Sequence, residues 1–145
     1  MKKINVILSC LMLVFVVVIG FLFWSKTSIL VDEKLLLFDE GIQVNFPNPN
    51  EFISSPLRIE GIVNGNGWTG FEGQVGTVRL LDSDGNQLAL GILTAITEWT
   101  TLPTSFETEL SFTPGIGFGT LVFHNENASG ELLRNKVFTL PIRFK

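Results

Sequence analysis

WTGFEGQVGTVRLLDSDGNQLALGIL, Trp68 to Leu93, is the stretch that decides the fold class. Val75 to Leu81 is rich in β-branched and aliphatic residues, and Gln87 to Leu93 sets Leu88, Leu90 and Ile92 at period two. Side chains of a strand alternate between two faces, so both runs read as strands. Between them, Asp82-Ser83-Asp84-Gly85-Asn86 supplies Asp side chains that bond local backbone and a glycine that accepts positive φ. Strand, turn, strand predicts a β-hairpin.

The same grammar extends in both directions. Upstream, Ile42, Val44 and Phe46 alternate until Pro47-Asn48-Pro49-Asn50 breaks the strand. Ser54-Ser55-Pro56 then opens Leu57 to Val63, with Leu57, Ile59, Gly61 and Val63 on one face. Downstream, Phe106, Leu110 and Phe112 share a face against Glu107, Glu109 and Ser111. Pro114-Gly115 and Gly117 turn the chain into Phe118 to His124, whose Leu121 and Phe123 point inward. The last strand sets Phe138, Leu140, Ile142 and Phe144 against Lys136, Arg143 and Lys145. Pro141 within it cannot donate a ladder hydrogen bond, so its nitrogen is expected at an edge or a bulge. Seven one-faced strands, with no helical periodicity among them, predict an all-β, two-sheet antiparallel β-sandwich. A domain of this length buries enough surface to stand without cross-links.

The N-terminus has a different chemistry. Mean hydropathy is +0.39, and its source is local. After the basic start at residues 1–3, Ile4 to Trp24 is an almost unbroken apolar run, INVILSCLMLVFVVVIGFLFW. A helix of that length spans roughly 30 Å, the thickness of a bilayer core, and satisfies its own backbone in lipid. The run is longer than the apolar region of a cleaved signal and ends in Phe21-Leu22-Phe23-Trp24 without small residues. The reading is a single-pass signal anchor over residues 4–24, with a juxtamembrane linker at 25–41 and the sandwich at 42–145 outside the cytoplasm. Secretion after signal cleavage is the alternative. Cys10, the only cysteine, falls within the apolar run and reads as an inert thiol. From Thr27 onward seven Lys/Arg face fourteen Asp/Glu. Such an acidic domain is repelled by phosphate backbones, which argues against nucleic acid as a partner.

Ile53-Ser54-Ser55-Pro56-Leu57-Arg58-Ile59-Glu60-Gly61, Phe71-Glu72-Gly73 and Leu80 to Gly85, followed by Glu98-Trp99-Thr100, Phe106 to Phe112, Asn127 to Gly130 and Leu140-Pro141-Ile142, resemble the bacterial spore germination immunoglobulin-like domain. The likeness covers about residues 42 to 145. It implies an immunoglobulin-like sandwich displayed outside the membrane, and it supplies no catalytic residue to carry over.

Several constellations invite sharper chemistry. Gly65-Asn66-Gly67-Trp68-Thr69-Gly70 fits G-x-G-x-x-G, but a dinucleotide site needs a helix N-terminus behind it. The next residues, Phe71-Glu72-Gly73-Gln74-Val75-Gly76, are glycine-rich and lead into a strand, so the segment is expected to be an adaptable loop. Asp82, Asp84 and Asn86 could present oxygens to calcium, yet position twelve of such a loop is Leu93 rather than Glu. His124, the only histidine, is too few for a zinc site and marks no nucleophile as its partner. Asn127-Ala128-Ser129 has the form of a glycan acceptor and reads as a loop marker. No catalytic, cofactor or metal residue is assigned. Trp68, Phe71 and Trp99 remain the candidates for interaction, since large aromatics on loops anchor protein or glycan ligands; the competing reading packs them at the ends of the core. The function expected is a membrane-anchored, non-catalytic binding or scaffolding module of the cell envelope, with an enzyme or metal-binding protein on a β scaffold as the alternative.

Overall fold

A computed structural model describes residues 41–145. The expected membrane span, Ile4–Trp24, and the linker up to residue 40 lie outside the described residues. Among the described residues no helix is long and apolar enough to cross a membrane.

Eight strands form: β1 (Ile42–Phe46), β2 (Phe52–Ile53), β3 (Leu57–Val63), β4 (Gln74–Asp82), β5 (Gln87–Ala95), β6 (Thr104–Leu110), β7 (Phe118–Asn125) and β8 (Val137–Phe144), with one 3-10 turn at Leu132–Arg134. The seven expected strands are all present. The eighth, β2, is two residues long and pairs parallel with β8 through Phe52↔Arg143 and Ile53↔Phe144, so the sandwich is not wholly antiparallel. Two residues are too short for any periodicity to register.

Hydrogen bonding runs through all eight strands in the order β1-β3-β6-β5-β4-β7-β8-β2. The ladder is thin at one place: β5 meets β6 only through Thr94↔Glu107 and Ala95↔Phe106. There the sheet folds over into two layers, β1-β3-β6 and β5-β4-β7-β8-β2. That they face one another is visible in the core, where Leu57, Ile59, Val63, Phe106 and Leu110 of the first layer cluster with Val78, Leu80, Leu121, Phe123, Leu140 and Ile142 of the second. Phe112, just past β6, packs edge-on against Phe144 of β8 with ring centroids 6.2 Å apart. The face-to-face arrangement with one apolar side per strand is a β-sandwich.

Register obeys the pattern of the sequence in most strands. β3 pairs with β6 from Leu57↔Leu110 to Val63↔Thr104, which aligns the two apolar faces. Phe106 and Leu110 are buried, whereas Phe112 is only partly so. Pro141 behaves as its chemistry requires. Its carbonyl accepts the Asn50 N–H at 2.7 Å, so its nitrogen faces the β2 side and no β7 ladder bond is lost.

The hairpin of β4 and β5 forms, with one correction. Asp82 organises the turn: its Oδ1 accepts the N–H groups of Asp84 (2.9 Å) and Asn86 (2.8 Å), and its Oδ2 accepts the Asn86 amide at 3.0 Å. These bonds hold its carboxyl below the ordinary carboxylate range, the Asn86 side chain contributing most. Of the period-two residues of β5, however, only Leu88, at a register shift, packs partly against the core, and the other two point away from it. Leu93 is buried, while Leu90 and Ile92 are 57% and 50% exposed. The register Leu80↔Ala89, Val78↔Gly91 and Gly76↔Leu93 puts the two small residues on the inner side. There β6 closes over them: a Cβ on Gly91 would stand 2.6 Å from Leu110 Cδ2. Space, rather than hydrophobicity, selected the buried face.

Candidate functional site

The segment from Asn64 to Gln74 is not a loose loop. Gly65 and Trp68 exchange backbone hydrogen bonds of 3.0 and 2.9 Å, and Phe71 and Gln74 exchange bonds of 2.7 and 2.9 Å. Between each pair sit two residues at positive φ, Asn66 (52°) with Gly67 (88°) and Glu72 (49°) with Gly73 (82°). Two positive φ values in a two-residue loop define the type I′ turn, for which Asn-Gly is the preferred sequence. Two tight turns in succession therefore replace the adaptable loop expected from glycine content alone. The signal lies in Asn66-Gly67, where φ > 0 is least costly.

This double turn sorts the three aromatic candidates. Trp68 is 1% exposed and belongs to the core; a contact role for its ring is set aside, because the turn directs it inward against the sandwich. Phe71 is 46% exposed. Trp99 is half-buried, and its ring meets Phe71 edge-on with centroids 6.5 Å apart at 67°. Gly70 permits that approach, since a Cβ there would lie 2.6 Å from the Trp99 carbonyl oxygen. The glycine-rich segment and the Trp99 connection thus share one end of the sandwich.

The Trp99 connection is held from within. Glu98 accepts the Thr100 hydroxyl at 2.9 Å and its N–H at 3.2 Å, which keeps the Glu98 carboxyl below its ordinary range. Thr104, fully buried, donates its hydroxyl to the Thr101 carbonyl at 2.7 Å.

Phe71 lies on the wall of a cleft of about 450 Å³, opposite the connection from β7 to β8. Glu126, Asn127, Ser129, Arg134 and Lys136 form the polar wall. One residue ties the walls together. Asn125 donates its amide to the Gly67 carbonyl (2.7 Å) and the Arg134 carbonyl (3.0 Å), and its Oδ1 accepts the Lys136 N–H at 2.9 Å. The Lys136 stem lies over Gly67, 2.9 Å from where a Cβ would stand. Within the connection, Asn127 donates to the Glu131 carbonyl at 2.9 Å and to Asn135 Oδ1 at 2.6 Å. The acceptor-like triplet therefore orders its own loop. The sequence alone does not single out Asn125, because its partners are 58 and 9 residues away and no local pattern encodes them.

The other constellations sit elsewhere. Among the described residues, no cluster of three His, Cys, Asp or Glu side chains is placed to hold a metal ion. Glu60 and Glu107 do stand opposite each other in the β3–β6 register, but Arg58 bridges them at 2.9 and 2.8 Å on an exposed face. His124, on the outer side of β7, is held below its ordinary value by burial and, secondarily, by Arg79. A mixed polar and aromatic cleft can bind by stacking and hydrogen bonding; the Ser129 hydroxyl on its wall donates to Asn127 Oδ1 at 2.7 Å.

Comparison with known proteins agrees with the architecture. No curated protein and no solved structure matches the chain. The family described as the immunoglobulin-like domain of bacterial spore germination matches residues 41–131, from the first described residue to the edge of the 3-10 turn. The match stops before β8, although Leu140, Ile142 and Phe144 of that strand complete the core. Since it covers more than half of the chain, this protein belongs to the family of immunoglobulin-like domains of bacterial spore germination.

Proposed function

We propose that the chain is a membrane-anchored, non-catalytic binding module of the cell envelope. Its sandwich engages an envelope protein or glycan through the Phe71–Trp99 end, and residues 4–24 hold it in the membrane with Thr27 to Lys145 outside. The observation that carries this reading is Phe71, a large apolar ring left 46% exposed on a hydrogen-bonded double turn, beside a polar-walled cleft. A rigid aromatic anchor with adaptable polar groups around it is the usual composition of a contact hot spot. The family supports the immunoglobulin-like binding class, and the apolar run supports the address.

The test is a crosslinking pull-down of the full chain from its native membrane, comparing wild type with Phe71→Ala and Arg134→Ala. The expected outcome is a partner retained by wild type and lost from Phe71→Ala at unchanged fold. A partner kept by both variants refutes the site. For the address, an N-terminus mapped beyond Trp24 refutes the anchor in favour of secretion.

A further inference from the structure

β8 carries an arginine that the fold flanks with aromatic rings and leaves without an acceptor. Arg143 stands between the buried Ile142 and Phe144, so it projects from the outer face of its sheet. Its register partners on both sides are aromatic, Phe118 of β7 and Phe52 of β2. The guanidinium carbon lies 5.2 Å from the centre of the Phe118 ring and 5.6 Å from that of Phe52, both within the ~6 Å reach of a cation–π contact. Both rings are nonetheless more than half exposed. Rings attract the charge, but the N–H donors of a guanidinium still need acceptor atoms. Among the described residues none is supplied. Nε is buried without a partner, and the ion pairs of the described residues belong to Arg58 and Arg134. An unpaired buried donor in a native fold calls for an explanation.

The carboxylates of neighbouring segments are engaged elsewhere. Glu51, next to Phe52, accepts the Asn48 N–H and side-chain amide at 2.7 and 3.0 Å. Asp82, paired with Gly119, is held in its own turn by Asp84 and Asn86. The outward positions of β4, β7 and β8 carry Arg79, His124 and Arg143 and no carboxylate. Yet the chain beyond residue 26 holds fourteen acidic against seven basic residues. A cationic face on an acidic domain is complementary to an anionic group on another molecule.

We propose that Phe52, Arg143 and Phe118 form a binding site for the carboxylate of a peptide, carried beside an apolar side chain. The carboxylate takes two parallel N–H bonds from the guanidinium fork, and the apolar neighbour packs on the exposed rings. Shape selects the anion. With a ring on either side, the way to Arg143 is a slot, which a flat carboxylate enters edge-on; a tetrahedral phosphate carries oxygens out of that plane into the rings. A rim of two phenylalanine rings likewise suits apolar side chains better than sugar hydroxyls. The site is separate from the Phe71 cleft and does not rest on it. β7 carries Phe118 at one end and the cleft residue Asn125 at the other, about 23 Å apart at ~3.3 Å per residue.

The experiment places the full chain in phosphatidylcholine nanodiscs and titrates it by ligand-observed NMR, with empty nanodiscs subtracted. Three probes are compared: acetyl-Leu-Glu-Leu amide, acetyl-Leu-Gln-Leu with a free C-terminus, and the uncharged acetyl-Leu-Gln-Leu amide. At least one acid is expected to bind about tenfold more tightly than the uncharged probe, and which one does so identifies the source as a side chain or a chain terminus. Arg143→Gln removes this preference. Arg143→Lys, which keeps the charge but not the fork, weakens it. Arg79→Gln, on the same face but about 16 Å away by strand and residue spacing, leaves it unchanged. Acetate displaces the acidic probe at lower concentration than inorganic phosphate does. Equal binding of all three probes by the wild type overturns the proposal without recourse to any variant. So does a preference undiminished in folded Arg143→Gln, or displacement led by phosphate.

Discussion

Replacing Trp68 and Phe71 separately by alanine distinguishes a core ring from a contact ring only three residues away. Trp68 is 1% exposed. An aromatic side chain of this kind removes about 150–250 Å² from water, or about 4–6 kcal/mol at ~25 cal/mol per Å². Alanine retains part of that burial, and the unfolded chain already hides some of it. Trp68→Ala should therefore cost about 3–5 kcal/mol, the usual range for removing a buried aromatic. Phe71 keeps 46% of its surface in water and meets the Trp99 ring only by an edge contact, so Phe71→Ala should cost about 1–2 kcal/mol. With each kcal/mol lowering Tm by about 4–8 °C in a domain near this size, the difference of about 1–4 kcal/mol between the variants separates their Tm values by about 4 °C or more. Thermal unfolding of both variants by circular dichroism reads it directly. Equal losses, or a larger loss for Phe71, would refute the assignment of Trp68 to the core and of Phe71 to the surface.

Two further outcomes test the fold and its electrostatics. Phe106→Ala should cost about 3–5 kcal/mol and Glu109→Ala no more than about 0.5, because Phe106 is fully buried and Glu109 exposed; comparable effects in denaturant titrations would mean that β6 is out of register. Acidification should lower Tm in two stages. His124 has a folded-state pKa below its ordinary 6.5, so the unfolded chain binds more protons and stability falls as pH drops below that value. Asp82, held below 3.8, contributes stability above its unfolded pKa that is lost as pH falls through the folded one. His124→Gln should remove the first stage only, and a first stage unchanged in that variant would refute its assignment.

What is legible in the sequence is whatever is local. The seven longer strands, the Asp82 turn and the buried faces of β3, β6, β7 and β8 come from alternation and turn chemistry within a few residues. The sequence misleads where a distant residue decides. β5 turns Gly91 rather than Leu90 inward because Leu110 of β6 needs the space, and nothing within QLALGIL announces that. Trp68 is inward because the Asn66-Gly67 turn reverses the chain over the core. The glycine count there suggests looseness, whereas the order of the residues specifies a turn. The second wall of the cleft depends on Asn125 reaching Gly67, a contact visible only once β4 and β7 lie side by side.

Binding is favoured over chemistry at this site by asking which features the fold already accounts for. Asp82 and Glu98 are acidified by hydrogen bonds that close their own turns. The Glu60 and Glu107 pair is neutralised by Arg58, and a bridge that exposed contributes little to stability. His124 is shifted first by burial and then by the positive charge of Arg79. Each of these groups is explained by the local structure, so none indicates a site by virtue of its shift. Phe71 is the exception. Its backbone is fixed by two hydrogen bonds to Gln74, yet its ring stays half in water. A ring held out by a rigid turn gains its remaining burial only from another molecule. Phe71 is therefore the residue at which a partner should first be sought.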